Sequence, residues 1–337
     1  MSSHSSIVPI DWRAIVAEGL RRRRAEGLTQ KEHAALASVS IPTMIAFERS
    51  ERTLSLGKAF DILRVVGLVV ETPEEGAQEI FVREAFVRWR ELTAKLPNDS
   101  PARFPNGWYR FDYELKGELR EPSPRELLAA LERVELTNTG WPLFVTLETK
   151  ELSAYENDGD IECWVRPIPN RTERSLDDAA HCDFWRVSPA GRALIMRGFQ
   201  EDTQETFKPQ TLLDTTLPIW RMAEGLLHSA RLARELQVNE TTEIVVHFRA
   251  LYTGLSGRVL RAWANPLSDP FLTGTGARTD EVLIETTVVA RDIEINLAAA
   301  VLPLVAALYD RFGVVGLTSE RIASEVDRFL QGSAARR

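Results

Sequence analysis

Cysteine is scarce. Cys163 and Cys182 are the two in 337 residues, too few for a disulfide framework and suited to a reducing compartment. Long apolar runs are missing too. The longest candidate, Leu297 to Leu308, falls short of the ~20 residues a membrane-spanning helix needs, so no membrane partner is expected. The opening MSSHSSIVPIDW lacks a basic stretch followed by an apolar one, so no secretory leader and a cytoplasmic location are expected. Paired metal ligands at two-to-four-residue spacing are absent. His181-Cys182-Asp183, with Cys163 and Asp177-Asp178 nearby, reads equally as a buried cysteine beside a surface His–Asp cluster, and no metal is expected. Gly274-Thr275-Gly276-Ala277-Arg278 is glycine-rich but lacks the strand–glycines–helix context of a phosphate loop; it reads as a hairpin tip. No cofactor is expected, and no enzymatic activity.

Positive charge is short overall and unevenly placed. The net charge is −8, yet residues 1–70 hold ten Lys/Arg against seven Asp/Glu, a balance of +3 that leaves −11 for the remainder. A cationic head on an acidic body is the asymmetry a nucleic-acid binder shows. Arg21-Arg22-Arg23-Arg24 concentrates the charge, although four consecutive residues cover every face of a helix, and some are simply solvated. At 44% hydrophobic and 27% charged, the chain has the length and composition for two domains and a sizeable core.

The head reads as short helices. Asp11 to Glu26 is the first, with Trp12, Ile15, Val16 and Leu20 as its apolar stripe and Gly27 as its stop. Thr29 caps a second, and Glu32 three residues on gives a capping-box spacing. Its periodicity ends by Ala37-Ser38-Val39. Ser40 caps a third, Ile41 to Arg49. Pro42 does not disturb it, because first-turn N–H groups have no intrahelical acceptor to lose. Leu54 to Val66 is the next, capped by Ser55, with Leu56, Phe60, Leu63 and Val66 inward and Gly67 at its end.

Leu28-Thr29-Gln30, Ala34, Val39-Ser40, Ile45, Phe47-Glu48-Arg49, Leu56, Ile62 and Gly67-Leu68, in that order and spacing, resemble the Cro/CI (Xre-type) helix-turn-helix DNA-binding domains. The resemblance implies a double-stranded DNA partner, with the helix Ser40–Arg49 in the major groove. Thr29, Gln30 and Lys31 would stand at the DNA-facing start of the supporting helix. Ser40, Ile41, Pro42, Thr43 and Ala46 would face base edges, and Arg49 and Arg52 would lie near phosphates. Two positions depart from the pattern: His33 replaces an apolar core residue, and Ser50 replaces a glycine after the helix. The base-facing set is mostly small or apolar. Ile41, Pro42 and Ala46 suit thymine methyls, Ser40 or Thr43 offers a hydroxyl, and bidentate readout is left to Gln30. Phosphate contacts and half-site spacing are therefore expected to supply much of the selectivity.

Residues 71–104 are expected to form a linker and an amphipathic helix. Glu71 to Gly76 is acidic and turn-forming. Ala77 to Leu96 carries Ile80, Phe81, Ala85, Trp89 and Leu92 at helical spacing. Phe86 and Trp89 are costly to expose, so this helix either docks on the following domain or pairs with its copy in a dimer. Pro97 to Gly107 is the expected boundary. From Trp108 the period becomes two: Tyr109, Phe111, Tyr113, Leu115 and Leu119 alternate with polar residues as in a half-buried strand. Ser123-Pro124-Arg125-Glu126 opens a helix to about Val134. Phe144–Leu147, Asp160–Val165, Phe184–Val187, Ala193–Phe199, Thr242–Leu251 and Val282–Ala290 read as strands or strand-rich. Leu217–Leu236, Ile295–Phe312 and Thr318–Leu330 read as helices. The fold class expected is multidomain: an all-α helix-turn-helix head, then an α+β domain with a mixed or antiparallel sheet over residues 105–337.

Within that second region, Thr139-Gly140-Trp141-Pro142, Asp183-Phe184-Trp185-Arg186, Gly198-Phe199-Gln200-Glu201-Asp202, Leu217-Pro218-Ile219-Trp220 and Gly254-Leu255 resemble the region that follows the Schlafen-like AlbA domain in some bacterial proteins. The resemblance implies a portable sensing or assembly domain and names no ligand. Candidate ligand-binding residues are Trp185, Arg186, Arg192, Trp220, Glu224, His228 and Arg258, from a wider set with Trp141, Trp164, Trp263 and Arg221. Aromatic and guanidinium groups together suit a flat or anionic ligand. The alternative is that the tryptophans fill the core while the arginines pair with the excess carboxylates. Glu224 and His228, at i and i+4, are either a functional pair or an ordinary ion pair.

The expectation is thus a cytoplasmic, sequence-specific transcriptional regulator, a homodimer on a (pseudo)palindromic site. A repressor is favoured over an activator because occlusion needs no further contact. A small-molecule or protein effector would act through the second domain. Two alternatives come from other classes. A DNA-targeted enzyme needs a cleft with convergent carboxylates or a metal. An antitoxin-like or phage-defence interaction protein needs a basic partner for the acidic domain.

Overall fold

The computed structural model describes residues 11–51, 53–69, 76–167, 178–203, 208–262, 276–314 and 317–332. The chain divides into two compact units, residues 1–83 and 84–337. The acidic linker Glu71–Glu75 lies outside the described residues.

The first unit is helical: α1 (Trp12–Ala25), α2 (Gln30–Leu36), α3 (Ile41–Glu48), α4 (Leu56–Val65) and the first turns of α5 (Ala77–Thr93). Its helix ends are set by local chemistry. Asp11 Oδ1 accepts from the N–H groups of Arg13 and Ala14 at 3.0 and 3.2 Å. The capping box on α2 is complete, Thr29 Oγ1 accepting from Glu32 N–H at 3.2 Å and Glu32 Oε2 from Thr29 N–H at 2.8 Å. Ser40 Oγ accepts from Thr43 N–H at 3.3 Å; Ser55 makes no such side-chain cap for α4. Val16, Ala34, Val39, Met44, Phe47, Ile62 and Leu63 form the core, and Trp12 meets Phe47 edge-on at 5.6 Å. The apolar stripe of α4 is turned by about one position from the expected one. Ala59, Ile62, Leu63 and Val66 are buried, whereas Leu56 and Phe60 are exposed.

The second unit is α+β. A seven-stranded sheet runs in the order β2-β3-β4-β5-β1-β7-β9, with every neighbouring pair antiparallel. Its strands are β1 (Trp108–Lys116), β2 (Tyr155–Asn157), β3 (Asp160–Val165), β4 (Asp183–Ser188), β5 (Arg192–Gly198), β7 (Val245–Tyr252) and β9 (Val282–Val289). Two three-residue strands, β6 (Leu212–Asp214) and β8 (Val259–Arg261), pair in parallel. The helices are the rest of α5, then α6 (Pro124–Val134), α7 (Leu217–Leu236), α8 (Ala290–Ile295), α9 (Leu297–Asp310) and α10 (Ser319–Gly332).

Strand β1 is buried on both faces rather than one. Tyr109, Phe111, Tyr113 and Leu115 belong to the apolar core shared with α7. On the opposite face Asp112 accepts from Arg110 Nε at 2.7 Å and from its cross-strand partner Arg249 at 2.6 Å, so charge is buried by pairing. Helix α7 passes close over the sheet because Gly225 has no side chain; a Cβ there would lie 2.9 Å from Phe248 Cε2. Gly107 and Gly254 serve a different need. Their backbones touch, both at positive φ, and a Cβ on Gly107 would stand 2.7 Å from Thr253 O.

Three readings change, and for α5 the docked alternative is the one seen. Phe144–Leu147 is not a strand; Phe144, at φ 55°, instead plugs the core and stacks on His228 at 4.3 Å. The helix expected over Ile295–Phe312 breaks at Asn296, whose Oδ1 caps α9 by accepting from Ala299 N–H. The segment from Pro97 to Gly107 lies within the second unit, where a 3₁₀ turn at Pro101–Arg103 buries Ala102 and Phe104 follows it. The C-terminal part of α5 docks on that unit: Trp89 Nε1 donates to Ala102 O at 3.2 Å, its ring stacks on Phe104 at 5.6 Å, and Phe86 meets Trp108 at 5.9 Å.

Candidate nucleic-acid interface and an interior cavity

The turn between α2 and α3 depends on Ser38. At φ 53° it sends Val39 N–H back to Ala34 O at 3.0 Å and stops α2. Met44 and Phe47, three apart on α3, are both fully buried, which fixes the phase of that helix. The opposite face then carries Pro42, Ala46 and Arg49, while Thr43 lies at the edge of the buried stripe. Ser40 and Pro42 are exposed, while Ile41, Thr43 and Ala46 are half-buried. Thr29 and Lys31 are exposed at the start of α2, and Gln30 is half-buried. Arg49 is 72% exposed, 3.9 Å from Glu51. Arg52 lies outside the described residues.

The four consecutive arginines do not act as one patch. Arg21 pairs with Glu18 at 2.7 Å, and this bond, followed by that from Arg22, holds the Glu18 carboxyl down at about 2. Arg22 also donates to Val66 O and Gly67 O at 3.2 and 3.0 Å, closing the end of α4. Arg23 pairs with Glu48 of α3. Arg24 is exposed. His33 has a structural task at its core position: it is fully buried, and Nε2 donates to Ile62 O of α4 at 2.9 Å. Burial lowers its pKa, so it is held neutral.

In the second unit the candidate ligand residues are not brought together. Trp185 is sealed in the core with Nε1 donating to Val145 O at 3.0 Å. Arg186 and Arg192 stand on the other sheet face, pairing with Asp160 at 2.6 Å and Glu114 at 3.1 Å. Trp220 Nε1 donates to Glu325 O. Arg258 is buried against Asp202, Gly254 O, Leu212 O and Asn106 O. Trp263 lies outside the described residues. Glu224 and His228 do not bond to each other. Glu224 takes Arg221 Nη1 at 2.9 Å and Thr139 at 3.0 Å, and burial pushes its pKa up. His228 Nδ1 lies 3.0 Å from the Tyr113 hydroxyl, and burial lowers its pKa to about 3. His181 is likewise engaged with Asp178 at 2.9 Å, and Asp183 with Arg197 at 2.5 Å. No group of metal-ligating side chains occurs among the described residues, and no described helix is long and apolar enough to cross a membrane. Gly274 and Thr275 lie outside the described residues.

A small cavity does exist nearby, about 20 Å³ in volume, lined by Tyr109, Arg197, Phe199, Glu201, Arg221 and Tyr252 among others. Arg197 is fully engaged, bidentate with Asp183 and donating to Pro142 O at 2.7 Å. Glu201 Oε1 accepts from Asp214 N–H at 2.6 Å. Burial first, and the Asp214 charge second, raise the Glu201 carboxyl to about 7. Of these residues only Arg221 stood in the tryptophan–arginine set; Glu201 lies in the distinctive run Gly198–Asp202, whose spacing carries no chemical signature.

No family model, no curated protein and no solved structure matches the chain. The assignment of function therefore rests on the geometry.

Proposed function

We propose that this protein is a sequence-specific DNA-binding transcriptional regulator whose helix-turn-helix is α2, the Ser38 turn and α3. One observation carries the reading. Burial of Met44 and Phe47 turns Pro42, Ala46 and Arg49 outward on a helix whose start, Ser40 and Pro42, is exposed. That is the arrangement a major-groove helix requires, with N-terminal residues toward base edges and a cation at the far end toward phosphate. The excess of positive charge in residues 1–70 of an otherwise acidic chain supports the same reading. A homodimer on a two-fold symmetric site, acting by occlusion, completes it. The second unit then supplies assembly, effector sensing, or both.

The test is selection of bound duplexes from a random pool with the whole protein, followed by titration against salt. A recovered motif, with preference changed in the double variant Gln30→Ala, Thr43→Ala, is expected. Arg49→Ala should lower the magnitude of the log–log salt slope by about 1 while leaving sequence preference intact. Recovery of no motif, or a double variant with the parent's preference, overturns the reading.

A further inference from the structure

We propose that the outer edge of β9 is where two copies of this chain join, by antiparallel pairing about a two-fold axis through Thr286. This names the surface of the homodimer in the regulator reading, and it rests on that reading for the use the dimer is put to. Among the described residues the seven-stranded sheet ends in β2 on one side and β9 on the other. Strand β2 makes a short edge of three residues, with Tyr155 and Glu156 exposed. Strand β9 is eight residues long and pairs one for one with β7, so no bulge interrupts it. It holds no proline and no lysine, and Glu285 is its one ionisable side chain. A long, regular edge without such guards is a template for another strand. On the core face α7 lies over β1 and β7, and α9 over β9, so α9 is the helix beside the open edge. Its exposed stripe of Ala299, Pro303 and Ala306 carries no charge.

A second copy fits this edge in one register. Ala290 N–H donates to Ile244 O at 2.8 Å, one step beyond the last β7–β9 pair. Bonding direction alternates along an antiparallel ladder. Val282, Ile284, Thr286 and Val288 therefore turn their N–H and C=O groups toward β7. Leu283, Glu285, Thr287 and Val289 turn theirs outward, where no described strand meets them. For outward groups to bond to outward groups across a two-fold axis, the axis passes through a residue rather than between two. Two centres give the longest overlap. Centring on Glu285 sets two carboxylates face to face and leaves Val289 without a partner. Centring on Thr286 sets Glu285 against the partner's Thr287 and Leu283 against the partner's Val289, so all four outward residues are bonded. On the core side Ile284 meets the partner's Val288. Residues opposite each other share a face, so the half-buried Leu283, Val288 and Val289 gain apolar neighbours. The two α9 helices flank the axis, and neither brings a charged stripe to repel its copy. The edge is thus complementary to itself, which a strand reserved for a foreign peptide has no need to be.

The experiment is sedimentation velocity of the whole protein across the micromolar range, where a dimer is expected. Thr287→Pro removes an outward N–H and leaves the bonds to β7 in place, a position proline tolerates on an edge strand. It should give a monomer with the parent's circular dichroism. Thr287→Glu sets like charges opposite each other in both halves of the interface and should weaken the dimer about 5-fold. Thr287→Lys sets opposite charges there and should tighten it by about the same factor, both differences shrinking in salt. Thr287 is exposed, so these two variants decide the matter even where the proline variant does not fold. Thr286→Cys places two thiols across the axis at the ~4.5 Å Cα spacing of a non-hydrogen-bonded pair, within disulfide reach, and should cross-link on oxidation. Thr287→Cys, on a diagonal of about 7–8 Å, should not. The native cysteines are both buried. The proposal fails if the parent is monomeric throughout, if Thr287→Glu and Thr287→Lys shift the dimer in the same direction, or if Thr287→Cys cross-links as readily as Thr286→Cys. A dimer indifferent to every change in β9 forms elsewhere, which overturns this surface and leaves the regulator reading standing. A dimer that responds as expected, in a protein that selects no duplex motif, does the reverse.

Discussion

The two units bury charge in opposite ways. Among the described residues the first buries two polar side chains, His33 and Gln78, and keeps its ionised groups at or near the surface. The second buries Arg110, Asp112, Glu162, Asp183, Arg197, Glu201, Glu224, Arg249 and Arg258, many of them paired across strands or between helix and sheet. A small helical unit has too little interior to surround an ion pair with the further donors it needs. A seven-stranded sheet with helices above it has room, and cross-strand register places partners opposite each other, as with Asp112 and Arg249. The difference has a functional side. Surface cations can be given to a polyanion, whereas buried, paired ones hold architecture.

The largest effect expected from this contrast is at Asp183. It neutralises Arg197 and accepts from Trp141 Nε1 at 2.8 Å, with neither carboxylate nor guanidinium reaching water. Asp183→Ala strands a buried cation and should cost about 3–5 kcal/mol in urea unfolding. The matching change in the first unit, Asp61→Ala, removes a half-exposed partner of Arg64 at 2.9 Å and should cost about 0–1 kcal/mol. Equal losses would erase the contrast.

Acid should separate the units next. Both contain a histidine held neutral by burial, His33 and His228. A depressed histidine pKa means the unfolded chain binds more protons below about 6.5, so stability is present above that pH and is lost as pH falls. For His228 the loss runs down to about 3, at roughly 1.4 kcal/mol per pH unit. Glu201 acts in the other direction: with its carboxyl near 7 against about 4.5 or below unfolded, its contribution diminishes as pH rises through that window. The opposing slopes of His228 and Glu201 offset each other between about pH 4.5 and 6.5, and Glu224, also raised, adds to the offset. His33 has no buried carboxylate beside it. Hydrogen exchange across pH, corrected for intrinsic rates, should show the first unit losing protection from pH 6.5 downward while the second stays level to about pH 4.5. Glu201→Gln should remove part of that level stretch, and His33→Leu should flatten the first unit's decline. A first unit as acid-resistant as the second would contradict the assignment.

What could be read from residue order alone was whatever is decided locally. The capping boxes Thr29–Glu32 and Ser123–Glu126 are four-residue events, and both helices start where those residues are. Helix α7 matches its periodic stripe end to end, because a long apolar face leaves one solution. Failures came where distant parts decide. Phe144 to Leu147 has the composition of a strand, but Phe144 is more valuable against His228 than in a ladder. Strands β6 and β8 are three residues each and exist only because they meet. The cavity draws Tyr109 from β1, Glu201 from the turn after β5, Arg221 from α7 and Tyr252 from β7; no window of sequence contains two of them at a telling spacing. The tryptophan–arginine set is spread out for the same reason, since neighbours along β4 such as Trp185 and Arg186 point to opposite faces, and of its two readings core filling with paired arginines is the one seen.

The smallest expected effect concerns two serines in the first unit. Ser38 and Ser50 sit at φ 53° and 55°, the left-handed region that costs a side-chain-bearing residue about 1–2 kcal/mol relative to glycine. Each ends a helix: Ser50 N–H donates to Phe47 O at 2.8 Å and Glu51 N–H to Ala46 O at 2.9 Å, and Ser38 does the equivalent for α2. Gly27 and Gly67 fill the same role with φ 65° and no such cost. Glycine also enlarges the unfolded ensemble, which returns about 0.5–1 kcal/mol of the gain. Ser38→Gly and Ser50→Gly should therefore each stabilise the first unit by a net ~0.5–1 kcal/mol, read as a rise in the urea midpoint at unchanged slope. The reading residues stand on the first turns of α3 and on its outward face, and Ser50 lies beyond its end, so duplex preference should not change with Ser50→Gly. A variant that gains stability yet shifts its preferred sequence would place the α3 terminus, rather than its start, against the bases.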